Sequence, residues 1–190
     1  MSIHDFFAGR EVDVPGLAAY LDGLDDAPRI AQVLDLDGAE QARLFDAAAG
    51  VRPITLEDFV PAAVPPLHTV IHYGRNSLPL FRLFQKRFCR PDRDGAELWG
   101  YNEQPWKRFT GPGYFVARQA DHEEVVIDYC EVPPEKPAEW PSILPNSARL
   151  SRFIYYRTRD FMRGVSRHVT IGRATREGKP MDNWFVLCRG

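Results

Sequence analysis

The first 60 residues carry apolar positions at helical spacing. Leu17, Tyr20, Leu21 and Leu24 recur three and four residues apart, and Asp25, Asp26 and Pro28 interrupt the run. A second segment begins at Arg29, with Ile30, Val33 and Leu34 on one face. Asp37 and Glu40 have capping-box spacing and predict a helix over 38–49, with Leu44 and Ala48 on one stripe and Gly50 at its C-terminal cap. Thr55 and Asp58 repeat the capping spacing, so a short helix is expected before Pro61.

Pro61, Pro65 and Pro66 punctuate the chain, and the period changes after them. Residues 67–73 read as a strand. Ser77 resembles an N-cap with Pro79 in the first turn, which predicts a helix over 77–89 with Leu80, Phe81, Phe84 and Phe88 as its apolar stripe. Beyond Gly95 the pattern is that of antiparallel β structure. Strands are expected over 98–101, 114–118, 125–132, 153–156, 168–174 and 184–188. Gly111-Pro112-Gly113 and Glu177-Gly178-Lys179 mark turns, Asp121-His122-Glu123 a polar loop, and residues 133–145, with five prolines, an irregular connection. The fold class expected is α+β: short N-terminal helices followed by a curled, mostly antiparallel β-sheet or barrel-like domain packed on one amphipathic helix. The division falls into an acidic helical segment, 1–60, and an Arg-rich β domain, 61–190.

Composition narrows the function classes. With 190 residues, 44% hydrophobic content and a formal charge of −2, the chain is neither disordered nor globally basic. The charge is uneven, however. Residues 1–60 hold 12 acids and four Arg, and residues 61–190 hold 20 basic residues and 14 acids. Twenty of the 24 basic residues are Arg, whose planar fork suits carboxylate and phosphate groups. Three cysteines without a C-x-x-C pair argue for reduced thiols and a cytoplasmic setting. No apolar run approaches the ~20 residues of a membrane-spanning helix, and the N-terminus lacks the charge pattern of a signal peptide.

Candidate chemistry follows from spacing. His68 and His72 would share a face of a strand but stand ~13 Å apart, too far for one metal. Ser166, His168 and Thr170 alternate onto one strand face, as do Asp128 and Cys130. A pairing of Asp128 with His72 or His168 would provide a general base and its orienting group. Neither a phosphate loop, nor a dinucleotide fingerprint, nor a nucleophile elbow is present, so no cofactor is called for. Arg75, Arg82, Lys86 and Arg173 are candidates to hold an anion, with Trp99 and Tyr101 among the aromatics that would enclose an apolar body.

The hairpin from Arg167 to Arg189 resembles the meandering strands of calycin-like ligand-binding barrels, over less than a quarter of the chain and without a specific motif. The first expectation is therefore binding of an amphipathic anionic small molecule in an aromatic, Arg-lined pocket. The alternative is a small-molecule enzyme (isomerase, cyclase or hydrolase-like) using His72, Asp128 and His168 for acid–base work. A third is a protein-interaction module, with docking between copies in a homo-oligomer. Nucleic acid is disfavoured as a partner, although basic and aromatic residues interleave.

Overall fold

The computed structural model describes residues 1–78, 82–91, 95–105, 111–120, 123–147 and 154–190. A short 3-10 turn, Ile3–Phe7, is followed by helices α1 (Val14–Asp22), α2 (Asp26–Val33), α3 (Gly38–Ala47) and α4 (Leu56–Phe59). Two of the caps anticipated from sequence form as expected, those at Asp37 and Thr55. Asp37 accepts from the Glu40 amide while Glu40 reaches back to the Asp37 amide, and Thr55 and Asp58 make the same reciprocal box ahead of α4.

Eight strands then close into an antiparallel barrel in which each strand pairs with the next in sequence: β1 (Val70–Asn76), β2 (Leu83–Cys89), β3 (Glu97–Glu103), β4 (Tyr114–Gln119), β5 (Val125–Asp128), β6 (Thr158–Gly164), β7 (Val169–Arg176) and β8 (Lys179–Arg189). The pairing of β1 with β8 seals it and leaves no open edge. Glu177 and Gly178 both have positive φ, 52° and 78°, which suits a tight turn between two right-twisted strands.

The amphipathic helix expected over 77–89 does not form. Residues 83–89 are strand β2, and residues 79–81 lie outside the described set. Phe84 and Phe88 stand four apart, which puts them on one face of a helix and equally on one face of a strand. Pairing with β1 on one side and β3 on the other decides between the two. A second correction concerns the region before β6. Residues 154–157 are turn-like, and the strand begins at Thr158.

Inward and outward faces alternate around the barrel. Phe88, Leu98, Phe115, Ala117, Val125, Ile127, Met162, Phe185 and Leu187 form a buried cluster with Ile54, Leu56, Phe59 and Val60, and the last four plug one end. Three inward glycines make room for this aromatic filling. Gly74, Gly100 and Gly172 each sit directly opposite a phenylalanine on the next strand, Phe84, Phe115 and Phe185, whose ring lies over the glycine. A Cβ at Gly100 would stand 2.3 Å from the Phe115 ring and 2.6 Å from the Arg87 carbonyl oxygen.

The outward faces of β7 and β8 bury Val169, Ile171, Val186 and Cys188 against Ile3, Val14, Leu17, Leu21, Val33 and Leu44 of the N-terminal segment. Arginines of the barrel fasten the helices from their C-terminal ends, where carbonyls lack intrahelical partners. Arg75 donates to the Leu34 carbonyl at the end of α2, and Arg163 to the Phe45 carbonyl in the last turn of α3 at 2.8 Å. Around α4, Arg90 donates to the Val60 carbonyl at 2.6 Å and Arg189 to the Asp58 carbonyl at 2.7 Å. On the opposite flank, Trp140 from the proline-rich connection covers Trp99, Tyr101 and Tyr114.

Candidate functional site: a polar floor in an aromatic lumen

The barrel end opposite the α4 plug holds a cavity of about 390 Å³. Phe84, Phe185, Tyr155, Leu78, Ile154 and Met181 contribute its apolar wall. Ala174 and Thr158 keep part of the lumen open, because small side chains stand where the neighbouring rings leave space.

Alternation along two strands puts charge at the floor. Lys86 points inward between Phe84 and Phe88, and Asp160 points inward between Thr158 and Met162. Lys86 Nζ lies 3.1 Å from Asp160 Oδ2 and 3.2 Å from Asn102 Oδ1, and it also donates to the Tyr129 hydroxyl. Asn102 in turn donates to the Tyr129 hydroxyl at 3.0 Å and to the Gly113 carbonyl at 3.1 Å. Four rings surround the ammonium: Phe185, Tyr129, Phe115 and Phe84 have centroids 4.8, 4.9, 5.2 and 5.8 Å from Nζ. Their negative π faces offset part of what the cation loses by leaving water. Tyr155 stacks on Tyr129 at 5.1 Å and accepts from Gln104 at 3.0 Å.

Burial dominates the titration of this group. It pulls the Lys86 ammonium below the ordinary lysine range, against the opposing pull of Asp160. It pushes the Asp160 carboxyl up, against the stabilising ammonium, so the two groups move toward each other. Burial raises the Tyr129 phenol well above its usual value and keeps it protonated. Asn183, also in the cavity wall, has a buried side-chain oxygen with no partner among the described residues.

Searches against family models, curated proteins and solved structures give no match. The site is therefore read from its own geometry.

Of the residues expected from sequence to form a site, Lys86 alone is among those lining this cavity. Arg75 and Arg173 lie on the outer surface. Arg75 is engaged with the end of α2, and Arg173 is stacked at 5.0 Å on Trp184 beside Asp182. Arg82 is exposed just ahead of β2. Trp99 and Tyr101 are buried on the outer face under Trp140. These arginines thus do not line the lumen, whose buried cation among the described residues is Lys86, because Arg75 of β1 and Arg173 of β7 stand at outward-facing positions next to the inward Gly74 and Gly172.

The structure does not bring His72, Asp128 and His168 together. His72 faces inward at the plugged end, stacked on Phe59 at 5.5 Å, with Nε2–H donating to the Phe59 carbonyl at 2.9 Å. Asp128 faces outward, bound to Arg159 Nε at 2.7 Å and to the Cys130 amide. His168 lies in the turn before β7, beside Arg189. Asp160, Asn102, Tyr129 and Tyr155 are the site residues that sequence reasoning missed. Thr158, Asp160, Met162 and Gly164 alternate with larger or charged residues, and that period-2 pattern is the signal that could have placed Asp160 inside.

Burial pushes the Cys89 and Cys188 thiols up to about 12, so neither is a nucleophile at neutral pH. Among the described residues, no group of three or more His, Cys, Asp or Glu converges as a metal site, and no helix is long and apolar enough to cross a membrane.

Proposed function

We propose that the barrel binds a small amphipathic molecule in its lumen, apolar body against Phe84, Phe185 and Tyr155 and polar group against Lys86, Asp160 and Asn102. One observation carries this: a cavity of about 390 Å³ ends on a buried, hydrogen-bonded ion pair. Such a pair adds little to stability compared with apolar packing, since taking both charges out of water costs several kcal/mol. Buried charge at the floor of an apolar pocket is the usual mark of a ligand or reaction site. The net charge of the lumen is zero, because Asp160 neutralises Lys86, and this favours a neutral head group over the anion expected from the arginines. The three unpaired thiols, one of them exposed at Cys130, fit a reducing, cytoplasmic setting.

The test is a pair of fluorophores of similar shape, neutral phenylnaphthylamine and anionic anilinonaphthalene sulfonate. Saturable one-to-one binding with preference for the neutral dye is expected. Ala174→Phe, which fills the lumen beside Phe185, should abolish it while leaving the folded signal intact. Equal binding by Ala174→Phe would place the dye elsewhere and overturn the proposal. An acid–base enzyme remains the second reading, and Lys86 with Asp160 is the proton-transfer pair that favours it.

A further inference from the structure

We propose that Lys86 is an imine-forming lysine, and that the lumen takes an apolar aldehyde and holds it covalently, with Asp160 as counterion. This rests on the lumen being a ligand pocket, and it names the ligand class and the bond.

The geometry meets the requirements of that chemistry one by one. The lysine amine is at the wall of the cavity, beside the aromatic rings of Phe84, Phe185 and Tyr155. A carboxylate stands 3.1 Å from the nitrogen, close enough to take its proton. Desolvation already weakens the ammonium, and buried lysines of this kind are the ones that act as nucleophiles.

Charge accounting also selects a neutral carbonyl. A carboxylate ligand would bring a third charge into a lumen where Lys86 and Asp160 already cancel, whereas an aldehyde brings none. The product keeps what holds the site together. A protonated imine carries the same single positive charge as the ammonium, so it retains both the ion pair with Asp160 and the ring contacts at 4.8–5.8 Å. The ammonium has three N–H donors and the iminium one. Asn102 and the Tyr129 hydroxyl are already within hydrogen-bond distance of each other in both directions, 3.0 and 3.4 Å. They can therefore pair when Lys86 withdraws from them.

The step balances. Asp160 takes a proton from the Lys86 ammonium, and the freed nitrogen lone pair attacks the aldehyde carbon. The C=O π pair moves onto oxygen, which becomes a hydroxyl by accepting the proton left on nitrogen. Asp160 returns its proton to that hydroxyl, which leaves as water while nitrogen forms the C=N bond. One aldehyde and one ammonium give one iminium and one water, with no oxidant or reductant.

The full chain is incubated with trans-cinnamaldehyde and cyanoborohydride at neutral pH, then analysed by intact mass and peptide mapping. Cinnamyl alcohol, of the same shape without a carbonyl, serves as non-covalent competitor and as a binding ligand in its own right. The expected result is one reduced adduct on Lys86, and none on Lys107, Lys136, Lys179 or the N-terminus, suppressed by the alcohol. Asp160→Asn should slow labelling on the order of a hundredfold. Lys86→Met combined with Asp160→Leu, which removes both charges and so avoids an orphaned one, should give no adduct. Adducts spread over the other amines, or no adduct while cinnamyl alcohol still binds, would overturn the imine and leave the ligand pocket standing. Failure of both adduct and alcohol binding, together with no dye binding, would remove the pocket as well.

Discussion

His72 shows how one buried residue ties stability to pH. Burial, reinforced by the charge of Arg189, lowers its pKa to about 4, and only the hydrogen bond to Phe59 opposes the shift. Its Nδ1 has no partner among the described residues, as suits a neutral ring. The unfolded chain takes up this proton near pH 6.5, and the folded chain resists until about 4. Below 6.5 the unfolded state therefore binds more protons, and the fold loses stability as pH falls, by up to about 3 kcal/mol at pH 4. Urea titrations at pH 7, 5.5 and 4.5 should show this loss, and His72→Gln should flatten it. An unchanged slope in the variant would assign the effect to other groups. Lys86 and Asp160 behave as a unit. Lys86→Met alone should cost about 3–5 kcal/mol by leaving a buried carboxylate unpaired, and adding Asp160→Leu should recover most of it. Denaturant midpoints of the two variants decide this. Lys86 was legible in the sequence as a cation near aromatics. Asp160 was missed because its strand went unrecognised, and the alternation that places it inside has meaning only once that strand is drawn.

At the scale of elements, the capping boxes at Asp37 and Thr55 and the Glu177-Gly178 turn depend on contacts within a few positions and were legible, whereas the equally local cap signal at Ser77 misled. The strands around residues 98, 114 and 169 were legible from composition and bounding turns, although their partners lie farther along the chain. Strand β2 was hidden because a spacing of four satisfies both periods, and the partners that settle it lie on two other strands, 8 to 18 residues away. The glycine–phenylalanine pairs were illegible for the same reason, since each joins two strands whose register is known only after folding. They differ in tolerance. Gly100→Ala would press a methyl group against both a ring and the Arg87 carbonyl, whereas Gly74→Ala would meet only side-chain atoms of Phe84 and Leu187. Both should destabilise by roughly 1–3 kcal/mol, with Gly100→Ala the more costly because backbone cannot step aside. Thermal melts of the two variants would reverse this ranking if register at β3 were loose.

Across the whole molecule, the opposite charges of the two halves find a local explanation. Arg75, Arg90, Arg163 and Arg189 meet helix-terminal carbonyls, so much of the arginine excess is spent on holding the N-terminal segment in place. Composition showed the imbalance, but only the fold shows that backbone oxygens as well as carboxylates absorb it. Residues 61–190 alone should then expose the outer faces of β7 and β8 and an unplugged lumen. Expressed without residues 1–60, that fragment is expected to aggregate or to bind dye nonspecifically. A cooperative melt of the fragment, with specific dye binding, would show instead that the barrel is independent.

The seam between β1 and β8 sets an order of events during synthesis. His72 of the first strand pairs with Arg189 of the eighth, and the helices that precede the barrel lie against its last two strands. A ribosome therefore releases the N-terminal helices long before their binding surface exists, and their apolar stripes must wait in solution. Closure of the barrel and docking of the helices both wait for β8, and slow translation across β7 and β8 would lengthen the interval in which a chaperone finds its target.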